Sequence, residues 1–295
     1  MDNPYVAYRS QVRAEREAIT WPGGRNLALV VQVHLEYWEM DPPPDALKDT
    51  RFVGEYGSFT PDFRTWSQRE YGNRVGIFRL LEVLDRYPVK LTVPVNAACV
   101  MRHRALIQQL SARGAEFVGH GSHATRIVSS RMSETHEREL ICDCLDAIEQ
   151  ATGNRVRGWV SQDAGQSVNT PRLLAEAGIE YIMDWPNDDS PYRMNTTPDL
   201  VSLPLQPEWD DVQQLWLRRI PMICYPQMVG EAFDVLSAEQ GRVMVLSLHP
   251  WLMGMAHRIR YLDFALQRIF QSSTTPGPWV ATAGEVARLW KDHSQ

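Results

Sequence analysis

At 295 residues the chain is long enough for one large domain or two small ones, and a chain of this size hides roughly three quarters of its unfolded surface on folding. Hydrophobic content of 44% and charged content of 22% are those of a soluble globular protein, and a formal net charge of -6 provides no basic field to gather a phosphate backbone, so nucleic acid is not expected as a partner. No run reaches the roughly 18 apolar residues of a membrane helix. Residues 1–17 alternate charges without the apolar core of a secretory signal. Cys142 and Cys144 diverge on a helical pattern instead of sharing a metal or a disulfide, and the expectation is a cytoplasmic protein with no membrane contact.

After the turn Pro22-Gly23-Gly24, LALVVQVHLEYW (27–38) has the apolar, β-branched character of a strand buried on both faces. The polar, Pro-rich stretch 39–73 reads as an insertion loop, and its WEMD and QREYG pieces suit a lid or an oligomer interface. VGIFRLLEVLDRY (75–87) has helical spacing, VKLTVPVNA (89–97) is a strand, ALIQQLSARG (105–114) a helix stopped by glycine, and AEFVGHG (115–121) a strand. Ser133, with Glu134 to Glu137 following, opens a helix by a capping box, and Gly153 ends it. VRGWVS (156–161) is a strand, TPRLLAEAGI (170–179) a helix with Thr170 as N-cap and Pro171 at the first turn, and EYIMDW (180–185) a strand. LVSLPLQ (200–206), a helix over 226–240, the strand RVMVLSLHPW (242–251), the helix YLDFALQRIF (261–270), the strand PWVATA (278–283) and the helix GEVARLW (284–290) complete the series. Strands alternate with helices throughout, with no composition break. The expectation is a single α/β domain over 1–295, core about 20–291, with about seven strands in a barrel-like arrangement.

In such folds reactive residues collect where strands end. Strand one ends in His34-Leu35-Glu36, and strand three in His120-Gly121-Ser122-His123. Strand four supplies Arg157, Trp159, Ser161, Gln162 and Asp163. Strand five supplies Asp184-Trp185, with Asp188 and Asp189 read as solvated carboxylates, and a late strand ends in Ser247-Leu248-His249.

The order of REYGNRVGIFRLLEVLDRY (69–87), EFVGHGSHATR (116–126), RVRGWVSQDAGQSVNTPRLLAEAGIEYIMDWPNDDSPY (155–192), LSLHPWLMGMAHRIRYLDFAL (246–266) and WVATAGEVARLW (279–290) resembles the polysaccharide deacetylase superfamily, whose domain is a distorted (β/α) barrel. More narrowly it is similar to the branch with metal-independent allantoinase and cyclic imide hydrolases. That resemblance implies hydrolysis of a non-peptide C–N bond in a small cyclic amide, imide or ureide, and a homo-oligomer. Two departures separate the chain from the sugar deacetylases. Their adjacent aspartates on strand one are replaced by VHLEYW, with Glu36 as the only carboxylate, and their second histidine falls at Ala124, one residue after His123.

Amide hydrolysis requires a base for water, a proton donor for the leaving nitrogen and a group to hold the oxyanion. Glu36, desolvated beneath Tyr37, Trp38 and Trp159, is expected to have a raised pKa and to act with His120 and His249 as the catalytic set. His34, Arg157, Trp159, Asp184 and Trp185 are the expected substrate-binding residues, with Arg157 paired to Asp184. The favoured reading has no metal or other cofactor. In the alternative, Glu36, His120 and His123 bind zinc or another divalent ion. A metal-dependent N-deacetylase of a sugar or peptidoglycan and a non-catalytic barrel that binds a small ligand remain the rival readings.

Overall fold

The computed structural model describes residues 7–44, 46–47, 60–271 and 276–293; residues 45 and 48–59 of the expected insertion lie outside them. β1 (Leu27–Val33) is buried at every position. Its outward residues Leu27, Leu29, Val31 and Val33 join the main core under the helices, while Ala28 and Val30 join a second cluster built from one face of several strands. Because side chains alternate along a strand, the inward column continues as Gln32, His34 and Glu36, all buried. The barrel interior is therefore an apolar plug at one end and a polar cup at the other.

The chain next forms α1 (Phe63–Tyr71), capped by the Asp62 carboxylate, which accepts the Thr65 N–H at 3.0 Å. A π-helical stretch, Gly72–Gly76, runs directly into α2 (Ile77–Leu84). The helix expected from 75 thus starts at Phe63; the polar residues 63–74 carry no apolar period to reveal it. Then come β2 (Leu91–Val95), α3 (Ala97–Arg102), α4 (Arg104–Ala112) and β3 (Glu116–Gly119). α5 (Glu134–Thr152) starts at Ser133, whose hydroxyl accepts the His136 N–H at 3.3 Å, and ends at Gly153 with φ 71°. Glu137, expected in a capping box, instead lies fully buried and accepts hydrogen bonds from Ser167 (2.6 Å) and Thr170. β4 (Gly158–Trp159) and α6 (Thr170–Glu176) follow, and the N-cap of α6 is Asn169, because the Thr170 hydroxyl is committed to Glu137 and to the Ser167 N–H.

β5 (Tyr181–Ile182), β6 (Tyr192–Arg193), β7 (Val201–Ser202), a π-helical segment Val212–Leu217, α7 (Tyr225–Ala238) and β8 (Arg242–Leu248) come next. Pro171 and Pro250 sit in the first turns of their helices, as the missing N–H allows. Pro250 starts α8 (Pro250–Met253), so β8 ends at Leu248 and not at 251. α9 (Ile259–Phe270), β9 (Trp279–Val280) and α10 (Ala283–His293) complete the chain.

The sheet order is β6-β7-β5-β4-β3-β2-β1-β8, parallel except for β6 against β7. β1 pairs along its whole length with β8, while β9 and β2 share its other edge, β9 at Ala28 and Leu29 and β2 at Val31 and Gln32. Across the open side, β8 is met by a loop: the Val243 N–H donates to the Asp189 carbonyl, and the Trp209 indole N–H donates to the Val245 carbonyl, both at 2.9 Å. The fold is the expected distorted (β/α) barrel, with nine strands among the described residues in place of about seven; two-residue strands such as β6 leave no period to read. Among the described residues no helix is long and apolar enough to cross a membrane.

Candidate active site

Above the apolar plug, the C-terminal ends of the strands open into a cavity of about 510 Å³. Its floor carries His34 and Glu36 from β1, His120 after β3, Ser161 and Gln162 after β4, Asp184 after β5, and Ser247 and His249 from β8. Trp38, with Met40, Ala46, Leu47, Thr60, Asp62, Thr65, Gln68 and Arg69 of the insertion, forms part of the wall.

The residues interlock. His120 Nδ1–H donates to the Val160 carbonyl at 2.7 Å, which turns its Nε2 toward Glu36 Oε1 (3.4 Å) and His34 Nδ1 (3.5 Å). The His34 ring stacks on His249 with centroids 4.2 Å apart and planes 14° apart, and its Nε2 meets Ser247 Oγ at 2.9 Å. Glu36 accepts from Gln162 Nε2 at 2.8 Å and from the Trp38 indole at 3.2 Å, and Asn73 Nδ2 holds its backbone carbonyl at 2.8 Å. Asp211 binds both the ring Nδ1–H and the backbone N–H of His249.

Charge follows from these contacts. Burial acts to raise the Glu36 pKa, but the contact with His120 and the positive field of His249 outweigh it, and the carboxyl is held below the usual range. The expected raised pKa is overturned: the imidazoles of His120, His249 and His34 lie around the carboxylate, and Trp38 meets it as a hydrogen-bond donor. Burial opposes charge on His249, yet the adjoining Asp211, then Asp210 and Glu36, push it up to about 9. Burial and the neighbouring His249 and His120 keep His34 well below its ordinary value, hence neutral. Burial, opposed by His249 and reinforced by Asp211, pushes Asp210 up to about 6.

Of the other sequence candidates, Asp184 lines the cavity; it accepts the Ser161 N–H at 2.6 Å and the Ser161 hydroxyl at 2.8 Å, and burial raises its pKa. Arg157 does not reach it. That residue precedes β4, at the opposite end of the barrel, and its guanidinium pairs with Glu180 near the surface. Trp159 is buried but points outward into the main core, where it lies against Gly119, because Val160 takes the inward position. Trp185 lies outside the cavity lining, with its indole donating to Gln166 Oε1 at 3.0 Å and its ring edge-on to Tyr8. His123 also stands apart: its Nε2 is 3.9 Å from Glu39 and its ring faces Tyr37, while Ala124 lines the cavity.

The residues Glu36, His120 and His123 therefore do not converge. Two other groups do, His34 with Glu36 and His249, and Asp210 with Asp211 and His249, each with one ligand atom per residue within 4.8 Å. His249 donates its Nδ1–H to a carboxylate, the arrangement that orients a metal-binding imidazole, so the donor set of His34, Glu36 and His249 fits a divalent ion. Sequence reasoning does not reach Asp210, Asp211 or Arg69, since none lies at the end of an expected strand; the paired carboxylates of EWDD (208–211) are the one signal for the first two.

Residues 70–182 match the family model described as polysaccharide deacetylase. A protein of Schizosaccharomyces pombe (strain 972), described as a putative polysaccharide deacetylase, is 26% identical over 245 residues, covering 75% of this chain and 74% of its own. Over that stretch the chain resembles the polysaccharide deacetylase superfamily. In fold it is similar to PuuE allantoinase, with a TM-score of 0.82 at 23% identity over 99% of this chain and 98% of that one. It is also similar to a probable polysaccharide deacetylase from Pseudomonas aeruginosa PAO1, with a TM-score of 0.79 at 25% identity over 94% and 95% of the two chains. A putative polysaccharide deacetylase from Mycobacterium smegmatis gives 0.78 at 23% identity over 95% of each chain.

Proposed function

We propose that the protein is a hydrolase of a non-peptide C–N bond in a small cyclic amide, imide or ureide. The observation that carries this reading is the pairing, in one small cavity, of an ionised Glu36 beside His120 with a protonated His249 backed by Asp211. With Nδ1–H on the Val160 carbonyl, His120 points its Nε2 into the cavity beside Glu36, and that nitrogen takes the proton from the attacking water. Glu36 stabilises the imidazolium that results, and Gln162 keeps the carboxylate in place. His249 stabilises the oxyanion and gives its proton to the leaving nitrogen, with Asp211 stabilising its charge and holding its ring. A divalent ion bound by His34, Glu36 and the unprotonated Nε2 of His249 would supply Lewis-acid polarisation of the scissile carbonyl in place of that proton.

A cavity of about 510 Å³, walled in part by the insertion, suits a compact ring and supports this reading over a polymer. N-deacetylation of a sugar is the second reading, supported by the family match and by the deacetylase descriptions of relatives. One panel separates them. The purified protein is incubated with allantoin, hydantoin and succinimide, and in parallel with N-acetylglucosamine oligomers. Ring-opened acid is the expected product. Released acetate, with the rings intact, would reject the leading reading.

A further inference from the structure

Arg69 is carried into the cavity wall by α1 and is only 3% exposed. Its guanidinium carbon lies 3.2 Å from the centroid of the Trp251 ring, 4.8 Å from Trp38 and 5.1 Å from Trp216, and all three indoles line the same cavity. Gly72 permits this approach, since a Cβ there would come within 2.5 Å of the Trp251 backbone nitrogen. Stacking holds a guanidinium by its faces and confines its hydrogen bonds to the planar edge, whose geometry matches a carboxylate. Beside it the Trp251 Nε1–H is buried and has no acceptor among the described residues.

The charge around this corner is selective. Glu36, Glu39, Asp62, Asp163, Asp184 and Asp210 line the cavity, whereas Arg69 is the only Lys or Arg among its described lining residues. A negative group on a ligand is repelled along most of the wall and attracted here and at His249. The corner adjoins the reacting groups: the Trp38 indole donates to Glu36 Oε2 at 3.2 Å, and the Trp251 ring centroid is 6.4 Å from that of His249.

We propose that Arg69 and the Trp251 N–H form a carboxylate-binding subsite that receives the acid group of a ring-opened amido or ureido product. This rests on the ring-hydrolysis reading above. Water adds its oxygen to the ring carbonyl carbon, and the C–N bond breaks with its electron pair going to nitrogen. The nitrogen takes a proton, and the new acid loses one to become the carboxylate. Arg69 draws that anion away from Glu36, with which it would otherwise be in repulsion.

The test is calorimetric titration of N-carbamoylglycine and of its neutral amide into the wild type, Arg69→Lys and Arg69→Met, with melting curves for all three. The acid should bind the wild type about tenfold or more tighter than the amide, a preference reduced in Arg69→Lys and absent in Arg69→Met. If Arg69→Met fails to fold, the reduction in Arg69→Lys decides. Equal binding of acid and amide, no binding of either, or a preference that survives both substitutions would overturn the subsite. Turnover of hydantoin by the same wild-type preparation separates the two readings. An Arg69-dependent preference without ring opening keeps the subsite and rejects the reaction; ring opening without the preference does the reverse.

Discussion

Asp211 holds His249 at two points, its Oδ1 on the ring Nδ1–H at 2.7 Å and its Oδ2 on the backbone N–H at 2.8 Å. A carboxylate with no exposed surface thus sets the tautomer, orientation and charge of one imidazole. Its position comes from the start of the π-helical segment at Val212, a kind of irregularity frequent at functional sites.

This pair should appear in the pH dependence of stability. The folded-state pKa of His249, about 9, lies above the ordinary histidine value. Its contribution is therefore complete below about pH 6.5 and lost as pH rises through the folded value, on the order of 3 kcal/mol in all. Denaturant unfolding of the wild type from about pH 6 to about pH 10 should show that decline, and Asp211→Asn should flatten it. The same substitution should lower kcat by roughly 10²- to 10³-fold.

Glu36→Gln keeps the shape of the side chain and removes its charge. Because Glu36 sits between His120 and the Gln162 and Trp38 donors, kcat should fall by roughly 10²- to 10⁴-fold while unfolding free energy changes by no more than about 2 kcal/mol. Steady-state kinetics beside urea titration checks both, and a variant that keeps more than a tenth of the activity would remove Glu36 from the chemistry.

His123 lies beside Glu39 and outside the cavity lining. His123→Ala should leave both kcat and the content of any divalent ion within about threefold of the wild type, whereas His249→Ala should depress both. Elemental analysis of protein purified without added metal and without a nickel column provides the comparison.

Two glycines distinguish crowding from backbone strain. Gly72→Ala would press a Cβ to 2.5 Å from the Trp251 nitrogen and 2.9 Å from its Cα, pushing α8 and His249 off register. It should cost about 1–3 kcal/mol or more and reduce turnover. A methyl group at Gly114 would meet nothing within 4 Å, but φ there is +74°, so Gly114→Ala should cost about 1 kcal/mol with kcat unchanged. Melting curves and kcat for the two variants decide it.

Much of the barrel is legible in the chain because long, doubly buried strands and amphipathic helices repeat with their own periods. The starts of Leu27–Val33 and Arg242–Leu248 can be read, although the expected strands 27–38 and 242–251 run five and three residues too far, and α5 is bracketed by Ser133 and Gly153. The helical run from Phe63 and the segment Val212–Leu217 escape such reading, since tertiary contacts and not a local apolar stripe hold them. Within the site, strand-end position marks His34, Glu36, His120, Asp184 and His249, all of which line the cavity. It fails for Arg157 and Trp159, where direction decides: Arg157 precedes the strand, and Trp159 falls on the outward parity.

The sequence by itself determined the alternation of elements and the inward column of β1, because side-chain parity along a strand is local. Only the tertiary structure decided that His249 carries a proton, that Glu36 lies among imidazoles, and that Arg69 reaches the cavity. These depend on Asp211, His120 and Trp251, which come from distant parts of the chain, and electrostatic and stacking energies depend on distance in space, not along the sequence.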